Sequence, residues 1–233
     1  MRVTVRSTKL GKVRFTSHRD AARLWERALR KAGIPVAFSA GFTPRPKISF
    51  GLALPTGAES LGECLDLELA AGYEPDLDEL AAALDASLPP GFAVVAVVEA
   101  DPAVGSLQES VVACRWQITL VGVDPAAAAP AVEAALSAEH LPVTRERKGE
   151  RRVDDVRPSI ETLDVVVDGD AVRIDAVVAT SGRGLRPGEL VEAVLGVPSL
   201  DVVARVLRTH QWIEHLDARR EVIPLAVAAG APA

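Results

Sequence analysis

The order of hydrophobic patterns over the first hundred residues constrains the fold of this chain more than any other feature. Val3 and Val5 alternate with polar neighbours, which is the period of a half-buried strand. Ser17 precedes apolar residues that recur at helical spacing as far as Ala32, so it is predicted to cap a helix. The later patterns predict a strand over 34–38 that resumes at 47–54, a strand over 64–69, a helix over 75–88 and a strand over 92–98.

This order, strand, helix, strand, strand, helix, strand, predicts the α+β class and a ferredoxin-like βαββαβ arrangement with an antiparallel sheet. The same order recurs from about Cys114, and Asp168-Gly169-Asp170 is a hairpin signal between strands over 160–167 and 171–179. The sequence therefore predicts two ferredoxin-like lobes, over residues 1–103 and 110–216. The remaining residues, 217–233, are predicted to be a C-terminal tail.

Charge is segregated along the chain. Residues 1–50 contain twelve Lys and Arg against Asp20 and Glu26, so their net charge is +10 (12 minus 2), and the other residues sum to −16. Between Ile48 and Cys114 there is no Lys or Arg, although twelve Asp and Glu occur. The asymmetry favours an anionic partner for the first lobe and leaves the acidic region to dock a basic protein surface. Neutralisation of one segment by the other within the molecule is the alternative.

Several classes of protein are excluded by composition. An apolar fraction of 48% with 25% charged residues is typical of a folded soluble protein, and no run of about 18 apolar residues predicts a membrane span. We therefore expect a cytoplasmic protein without membrane contact. Cys64 and Cys114 are too few and too far apart for a disulfide framework or a zinc site, so they are predicted to be buried thiols. His210 and His215 miss the spacing of a helical metal pair, and we expect neither metal nor cofactor.

The segment from Gly41 to Lys47 is predicted to be a stiff, exposed loop, because Pro44 and Pro46 each remove a backbone donor. Cations spaced along one face match the phosphates of RNA. The predicted RNA- or anion-binding residues of the first lobe are Lys9, Lys12, Arg14, His18, Arg19, Arg45 and Lys47. Phe15 and Phe42 either stack on unpaired bases or belong to the core. The arginine stripe of the first helix also fits a solvated face.

Two basic segments of the second lobe are weaker candidates. Arg183 and Arg186 lie in a Gly-rich segment before a predicted helix, where backbone N–H groups and the helix dipole favour an anion. The segment 145–157 holds six cations and four carboxylates, which gives a net charge of +2 (6 minus 4) and fits a flexible loop.

The segment "FTSHRDAARLWERALRKAGIPVAFSAGFTPRPKISFGLALPTGAESLGECLDLEL" resembles the radical SAM-linked proteins of unknown function. The resemblance is carried by the helix, by the "GF-P-PKISF" loop and by the "P-G" turn. In that family the domain occurs alone or fused behind a radical SAM enzyme domain, which implies a companion that handles substrate, in a context of RNA processing. A radical SAM enzyme needs three closely spaced cysteines for its cluster, and two dispersed cysteines exclude that role for this chain.

Three functions follow from these observations. The first is a non-catalytic radical SAM-associated accessory protein that binds tRNA or rRNA or presents substrate to a partner enzyme. The second is a metal-independent endoribonuclease of ferredoxin-like type, with His18 as the proton-transfer group beside a Lys or Arg. The third is a protein–protein adaptor without nucleic-acid affinity. The absence of a complete catalytic motif favours a protein that is not an enzyme.

Overall fold

The structure is a computed structural model that describes residues 1–147, 149–169, 171–182, 184–215 and 218–224. The chain folds into two compact units, which are described separately. The first unit comprises Met1–Val111 and the residues from Gln211 onward, and the second comprises Val112–His210. Among the described residues, no helix has the length and apolar character needed to cross a membrane.

The elements follow one another in a mixed α+β order. The strands are β1 (Arg2–Lys9), β2 (Ile48–Phe50), β3 (Ala58–Glu68), β4 (Phe92–Glu99), β5 (Val111–Leu120), β6 (Pro142–Arg147), β7 (Glu150–Asp155), β8 (Ile160–Asp168), β9 (Ala171–Ala179), β10 (Val203–His215) and β11 (Ala218–Glu221). The helices are α1 (His18–Lys31), α2 (Leu77–Asp85), α3 (Leu107–Ser110), α4 (Pro125–Ser137), α5 (Pro187–Leu195) and α6 (Ser199–Val202).

In the first unit, β1 lies between β4 and β3 and pairs antiparallel with both. Short β2 pairs antiparallel with β3. The core forms where the inward face of β1, with Val3 and Val5, meets the apolar faces of α1 and α2. The N-terminus of α1 is where the sequence predicts it, because the Ser17 hydroxyl accepts the Asp20 N–H at 3.2 Å and satisfies an otherwise free donor.

The predicted strand over 34–38 is wrong. This segment makes only two isolated bridges, Val36 with Leu69 and Phe38 with Pro46. Proline has no N–H to donate, so the partner segment that contains Pro46 cannot continue a ladder. The strand predicted to follow is likewise reduced to the three residues of β2.

In the second unit, β9 pairs antiparallel with both β5 and β8. The predicted hairpin is confirmed, since β8 and β9 pair from Ile160 to the closing pair Asp168 and Ala171. The charged segment 145–157 is not an open loop, because β6 and β7 form a separate antiparallel pair.

These sheets and helices confirm the α+β class. Two ferredoxin-like lobes stay a prediction, because β2 has only three residues and the second unit carries the additional β6–β7 pair. The predicted C-terminal tail departs from expectation, since its residues 218–221 form β11 against β10. Residues 225–233 of that tail lie outside the described part of the chain.

Candidate nucleic-acid interface

The loop between Phe38 and Ile48, here called the Gly41 loop (residues 39–47), is closed at its base by hydrogen bonds. The Ser39 N–H donates to the Arg45 carbonyl oxygen at 2.9 Å, and the Arg45 N–H donates to the Ser39 hydroxyl at 3.0 Å. Below them, the Lys47 N–H donates to the Ala37 carbonyl oxygen at 2.8 Å. Gly41 has φ = 121°, which L side chains rarely adopt. The loop is therefore a defined projection from the first unit.

Aromatic side chains stand in solvent at and near this loop. Phe42 is fully exposed, and Phe38 at the base of the loop is 57% exposed. Phe15 is 63% exposed. Burying a phenylalanine side chain stabilises a protein by about 1.5–3 kcal/mol. These three exposed rings do not make that contribution to the stability of the fold. The interpretation of Phe15 and Phe42 as core residues is wrong.

The cations of the Gly41 loop differ in their surroundings. Arg45 is exposed, and within the described residues its guanidinium has no ion pair or side-chain hydrogen bond. Lys47 is also exposed, but its ammonium donates to Glu68 Oε1 at 2.9 Å. Both residues line an open groove of about 550 Å³, together with the ion pair of Arg2 and Asp66. Arg45 is thus the cation in this groove that is best placed to meet an added anion.

A second exposed basic segment follows β1, where a 3₁₀ turn spans Gly11–Phe15. Lys12 is exposed in this turn. The Arg14 guanidinium lies over the Phe15 ring, 4.6 Å from its centroid, and is 4.0 Å from Glu59 Oε1. The Gly57 N–H donates to the Arg14 carbonyl oxygen at 2.8 Å, which ties the turn to the loop before β3.

His18 and Arg19 begin α1, and both are exposed. The His18 ring packs edge-to-face against Phe50 of β2, with centroids 5.3 Å apart and planes at 78°. Arg19 has no ion pair or side-chain hydrogen bond to another described residue. Both side chains are therefore accessible to a ligand, as a binding role requires.

Lys9 departs from the prediction, because it is 4% exposed and donates from Nζ to the Thr16 carbonyl oxygen at 2.8 Å. The β1 pattern explains this placement, since residues 3, 5, 7 and 9 share one face of a strand and Val3 and Val5 are in the core. Lys9 is not a surface contact for phosphate.

Lys9 instead lines a cavity of about 40 Å³ that His18 also lines. Ser7, Glu63 and Cys64 contribute to the same cavity. The sequence patterns did not point to Ser7 or Glu63 as site residues, although the alternation of β1 places Ser7 on the inward face. Cys64 is half-buried and Cys114 is buried, so the prediction of buried thiols is confirmed for Cys114 alone.

The anion site predicted before α5 is occupied by a carboxylate of the protein itself. Glu189 accepts the Arg186 N–H at 3.0 Å and takes two hydrogen bonds from Arg145, at 3.1 and 2.8 Å. Arg186 is exposed, and Arg183 lies outside the described residues. The hydrogen bonds that Arg145 donates to Glu189 raise the pKa of its guanidinium. This helix start already has its negative charge.

Other cations of the segment 145–157 also contact oxygen acceptors. Arg152 and Arg151 pair with Asp154 and Glu146, at 3.1 and 3.4 Å. Arg157 donates to the carbonyl oxygens of Leu136 and Ile160. Arg151 and Arg152 remain exposed, and exposed ion pairs contribute little to stability. All three cations nevertheless already have protein acceptors, which compete with a phosphate. Within the described part of the chain, no three His, Cys, Asp or Glu side chains are placed to hold a metal ion.

The chain is similar to two solved structures at low identity. A chain of the Cbf5-Nop10-Gar1 complex matches 90% of this chain at 9% identity, with a TM-score of 0.49. This chain spans 48% of that one, about half its length. A protein of unknown function from Galdieria sulphuraria matches 86% of this chain and 89% of its own at 14% identity, with a TM-score of 0.26. Neither similarity is close enough to carry an argument about fold or function, and no curated protein matches.

The family comparison covers most of the sequence. Residues 2–187 match the model of a family described as an uncharacterized protein conserved in bacteria, DUF2344. That description names no radical SAM enzyme, so the association with one stays a prediction. The matched residues include β1, α1, the Gly41 loop and the cavity beside them. The chain belongs to the DUF2344 family of uncharacterized bacterial proteins.

Proposed function

We propose that the first unit binds single-stranded segments of tRNA or rRNA through the Gly41 loop and the Gly11–Phe15 turn. The observation that carries the proposal is the exposure of Phe42, Phe38 and Phe15 beside exposed cations. Sequence-tolerant RNA sites combine aromatic rings, on which unpaired bases stack, with cations that follow the phosphates.

The distribution of charge supports this choice of ligand. Arg45 and Lys12 are exposed cations, and Arg14 remains about a third exposed beside the Phe15 ring. The Gly41 loop holds its ring away from the core, so a base can stack without a rearrangement of the fold. Paired duplex RNA hides its base faces, and an exposed phenylalanine therefore favours loops, bulges and ends.

We propose further that the protein is a non-catalytic accessory that delivers bound RNA or another substrate to a partner enzyme of the radical SAM class. The resemblance of residues 15–69 to radical SAM-linked proteins supports the partner. In the finer description of the fold, β4, β1, β3 and β2 would form the four-stranded sheet of a ferredoxin-like lobe, with the Gly41 loop leading into its edge strand β2.

The test is equilibrium binding of labelled total tRNA and rRNA fragments across a salt series, with wild type beside Arg45→Ala/Lys47→Ala. Each phosphate contact on a single strand contributes about 0.7 to the slope of log K against log salt, so the double variant should lower the slope by about 1.4. Phe42→Ala should weaken binding by about 1–3 kcal/mol, roughly 5- to 150-fold, without a change of slope.

The matched control is Arg27→Ala/Arg30→Ala, which removes the same charge from exposed residues of α1. We expect its binding to remain close to that of wild type. If both double variants lose the same RNA affinity, binding depends on the total positive charge and not on the Gly41 loop. Absence of RNA binding at low salt would refute it, and a stable complex with a radical SAM enzyme would then favour the adaptor.

The endoribonuclease is the second candidate function, and the observation that favours it is that Lys9 and His18 line one cavity. This function requires that bound RNA is cleaved in EDTA and that His18→Ala abolishes cleavage while binding persists. Intact RNA after prolonged incubation with wild type would exclude it.

A further inference from the structure

The inward face of β1 changes from apolar to polar along its length. Val3 and Val5 are completely buried in the core, whereas Ser7 and Lys9 continue the same face and are also buried. A strand that only packed against helices would continue with apolar residues. Because Ser7 and Lys9 continue the inward face on which Val3 and Val5 form the core, this end of β1 is suited to more than apolar packing.

The polar residues border the cavity of about 40 Å³ under the first turns of α1. Three aromatic side chains, Trp25 of α1, Phe50 of β2 and Phe92 of β4, line it together with Ala21 and three leucines. Its polar lining comes from Ser7, Lys9, Glu63 and the exposed His18. The volume corresponds to roughly three water molecules, or to the leading edge of a small flat ring.

The buried hydroxyl of Ser7 is the observation that most directly indicates a ligand in this cavity. It is 1% exposed, and its hydroxyl has no hydrogen-bond partner among the described residues. Buried hydroxyls are normally satisfied, because an unmade hydrogen bond costs the full desolvation of the group. The equally buried Ser60 of β3 follows that rule, since its hydroxyl accepts the Gly62 N–H at 3.2 Å.

The chemistry of the lining restricts the ligand. The formal charges of Lys9 and Glu63 cancel, so a neutral ligand fits better than an ion. The Lys9 ammonium is a donor, the Glu63 carboxylate is an acceptor, and the Ser7 hydroxyl can be either. A neutral group with a carbonyl oxygen next to an N–H matches this set.

We propose that the cavity receives the lactam edge, –CO–NH–, of an unpaired nucleobase, of which uracil is the smallest. The carbonyl oxygen accepts from Ser7 or Lys9 and the ring N–H donates to Glu63, while His18 and Phe50 flank the entrance. Cytosine lacks this ring N–H and presents a lone pair to Glu63 instead. The inference deepens the proposed RNA binding and rests on it.

The path of the chain connects this cavity with the Gly41 loop. Lys47 ends the loop, and Phe50 three residues later lines the cavity, a distance of about 10 Å along extended β2. A strand of RNA held at the loop can therefore place one of its bases at the cavity entrance.

The test compares binding of ten-residue oligo(U) and oligo(C) to wild type, Glu63→Gln, Ser7→Ala and Ser60→Ala. Wild type should prefer oligo(U) by about tenfold, and Glu63→Gln should lose most of this preference, because its amide can donate to the ring nitrogen of cytosine. Ser7→Ala should weaken the binding of oligo(U) while its affinity for oligo(C) is unchanged. Ser60→Ala should keep the preference. In thermal melts Ser7→Ala should be as stable as wild type or more stable, because it removes a hydroxyl without a partner, and Ser60→Ala should be less stable.

Failure of this inference is distinguishable from failure of the proposed function. Equal affinity of wild type for oligo(U) and oligo(C) overturns the lactam site and leaves RNA binding intact. If neither oligonucleotide binds, uridine and cytidine are titrated at millimolar concentration and followed by NMR. Shifts of Trp25 with uridine alone, absent in Ser7→Ala, support the site, and no shifts with either nucleoside overturn it.

Discussion

At the scale of single residues, the basic side chains of the first unit divide by burial and not by their order in the sequence. Arg45 in the Gly41 loop is open to solvent, whereas Lys9 lies on the inward face of β1. Burying an ammonium without a hydrogen-bond partner is costly, and the bond from Lys9 to Thr16 reduces this cost. Burial therefore separates Lys9 from Arg45, although the sequence pattern groups the two together.

The carboxylate of Asp155, at the end of β7, predicts a specific dependence of stability on pH. The Leu141 N–H, the His140 ring and the Arg157 N–H hydrogen-bond to its carboxylate and lower its pKa from 3.8 to about 2. A depressed folded-state pKa stabilises the folded protein above pH 4, and this contribution is lost as the pH falls toward 2. The stability advantage of wild type over Asp155→Asn should therefore shrink between pH 4 and 2.

Urea unfolding at a series of pH values from 2.5 to 7 measures this difference. Asp164→Asn is the control, because Asp164 is exposed and has no ion pair or side-chain hydrogen bond within the described residues. Its difference from wild type should not change over the same interval. A difference for Asp155→Asn that is equally independent of pH would contradict the assigned hydrogen bonds.

At the scale of elements, α4 contains an unusual proline. Pro130 is the sixth residue of this helix and is exposed, so its ring adds little packing while its missing N–H breaks the bond to residue 126. Pro130→Ala should raise the free energy of unfolding by about 2–2.6 kcal/mol. An interior proline costs about 3 kcal/mol, and alanine returns about 0.4–1 kcal/mol of entropy to the unfolded chain.

Pro125→Ala provides a matched control in the same helix. Pro125 is the first helical residue, where no intrahelical donor is needed, so its replacement should be neutral or slightly destabilising. Urea unfolding curves measure both variants. If the two substitutions change stability in the same direction and by the same amount, the missing N–H of Pro130 does not destabilise the helix.

The elements also show what the sequence can and cannot predict. Helix α1 was predictable because Ser17, its apolar stripe and Gly33 are local signals, and the β8–β9 hairpin was predictable from its Asp-Gly turn. The β6–β7 pair was missed because its residues are charged on both faces and lack alternation. The Gly41 loop was predictable because Pro44 and Pro46 interrupt a strand. Its cations, Arg45 and Lys47, were expected to be exposed because they lie in that loop. The cavity was not, because its lining residues come together only when β1, β2, β3 and α1 pack.

At the scale of the whole molecule, the first unit is discontinuous, since it uses residues from both ends of the chain. Strand β11 pairs with the end of β10, from Trp212 with Glu221 to His215 with Ala218. The buried guanidinium of Arg6 in β1 donates to the Ile223 carbonyl oxygen and lies 3.3 Å from Glu221. The Gln211 side chain donates to the Gly62 carbonyl oxygen of β3. Residues 211–215 and 218–224 therefore belong to the packed structure of the first unit.

This arrangement predicts that residues 1–111 do not fold stably by themselves. Without the C-terminal segment, Arg6 loses the two hydrogen bonds that it donates to Glu221 and to the Ile223 carbonyl oxygen, and a hydrogen bond to a charged group is worth about 1.5–3 kcal/mol. The loss of Ile223, which is 2% exposed in the intact chain, adds about 1.5–3 kcal/mol. Domains of this size have about 5–15 kcal/mol in total, so the fragment should be at or near its unfolding midpoint in water. Circular dichroism during urea titration should show no cooperative transition. Residues 1–111 joined through a Gly–Ser linker to residues 211–224 should regain one, and a fragment that unfolds at the full chain's midpoint without them would contradict this role.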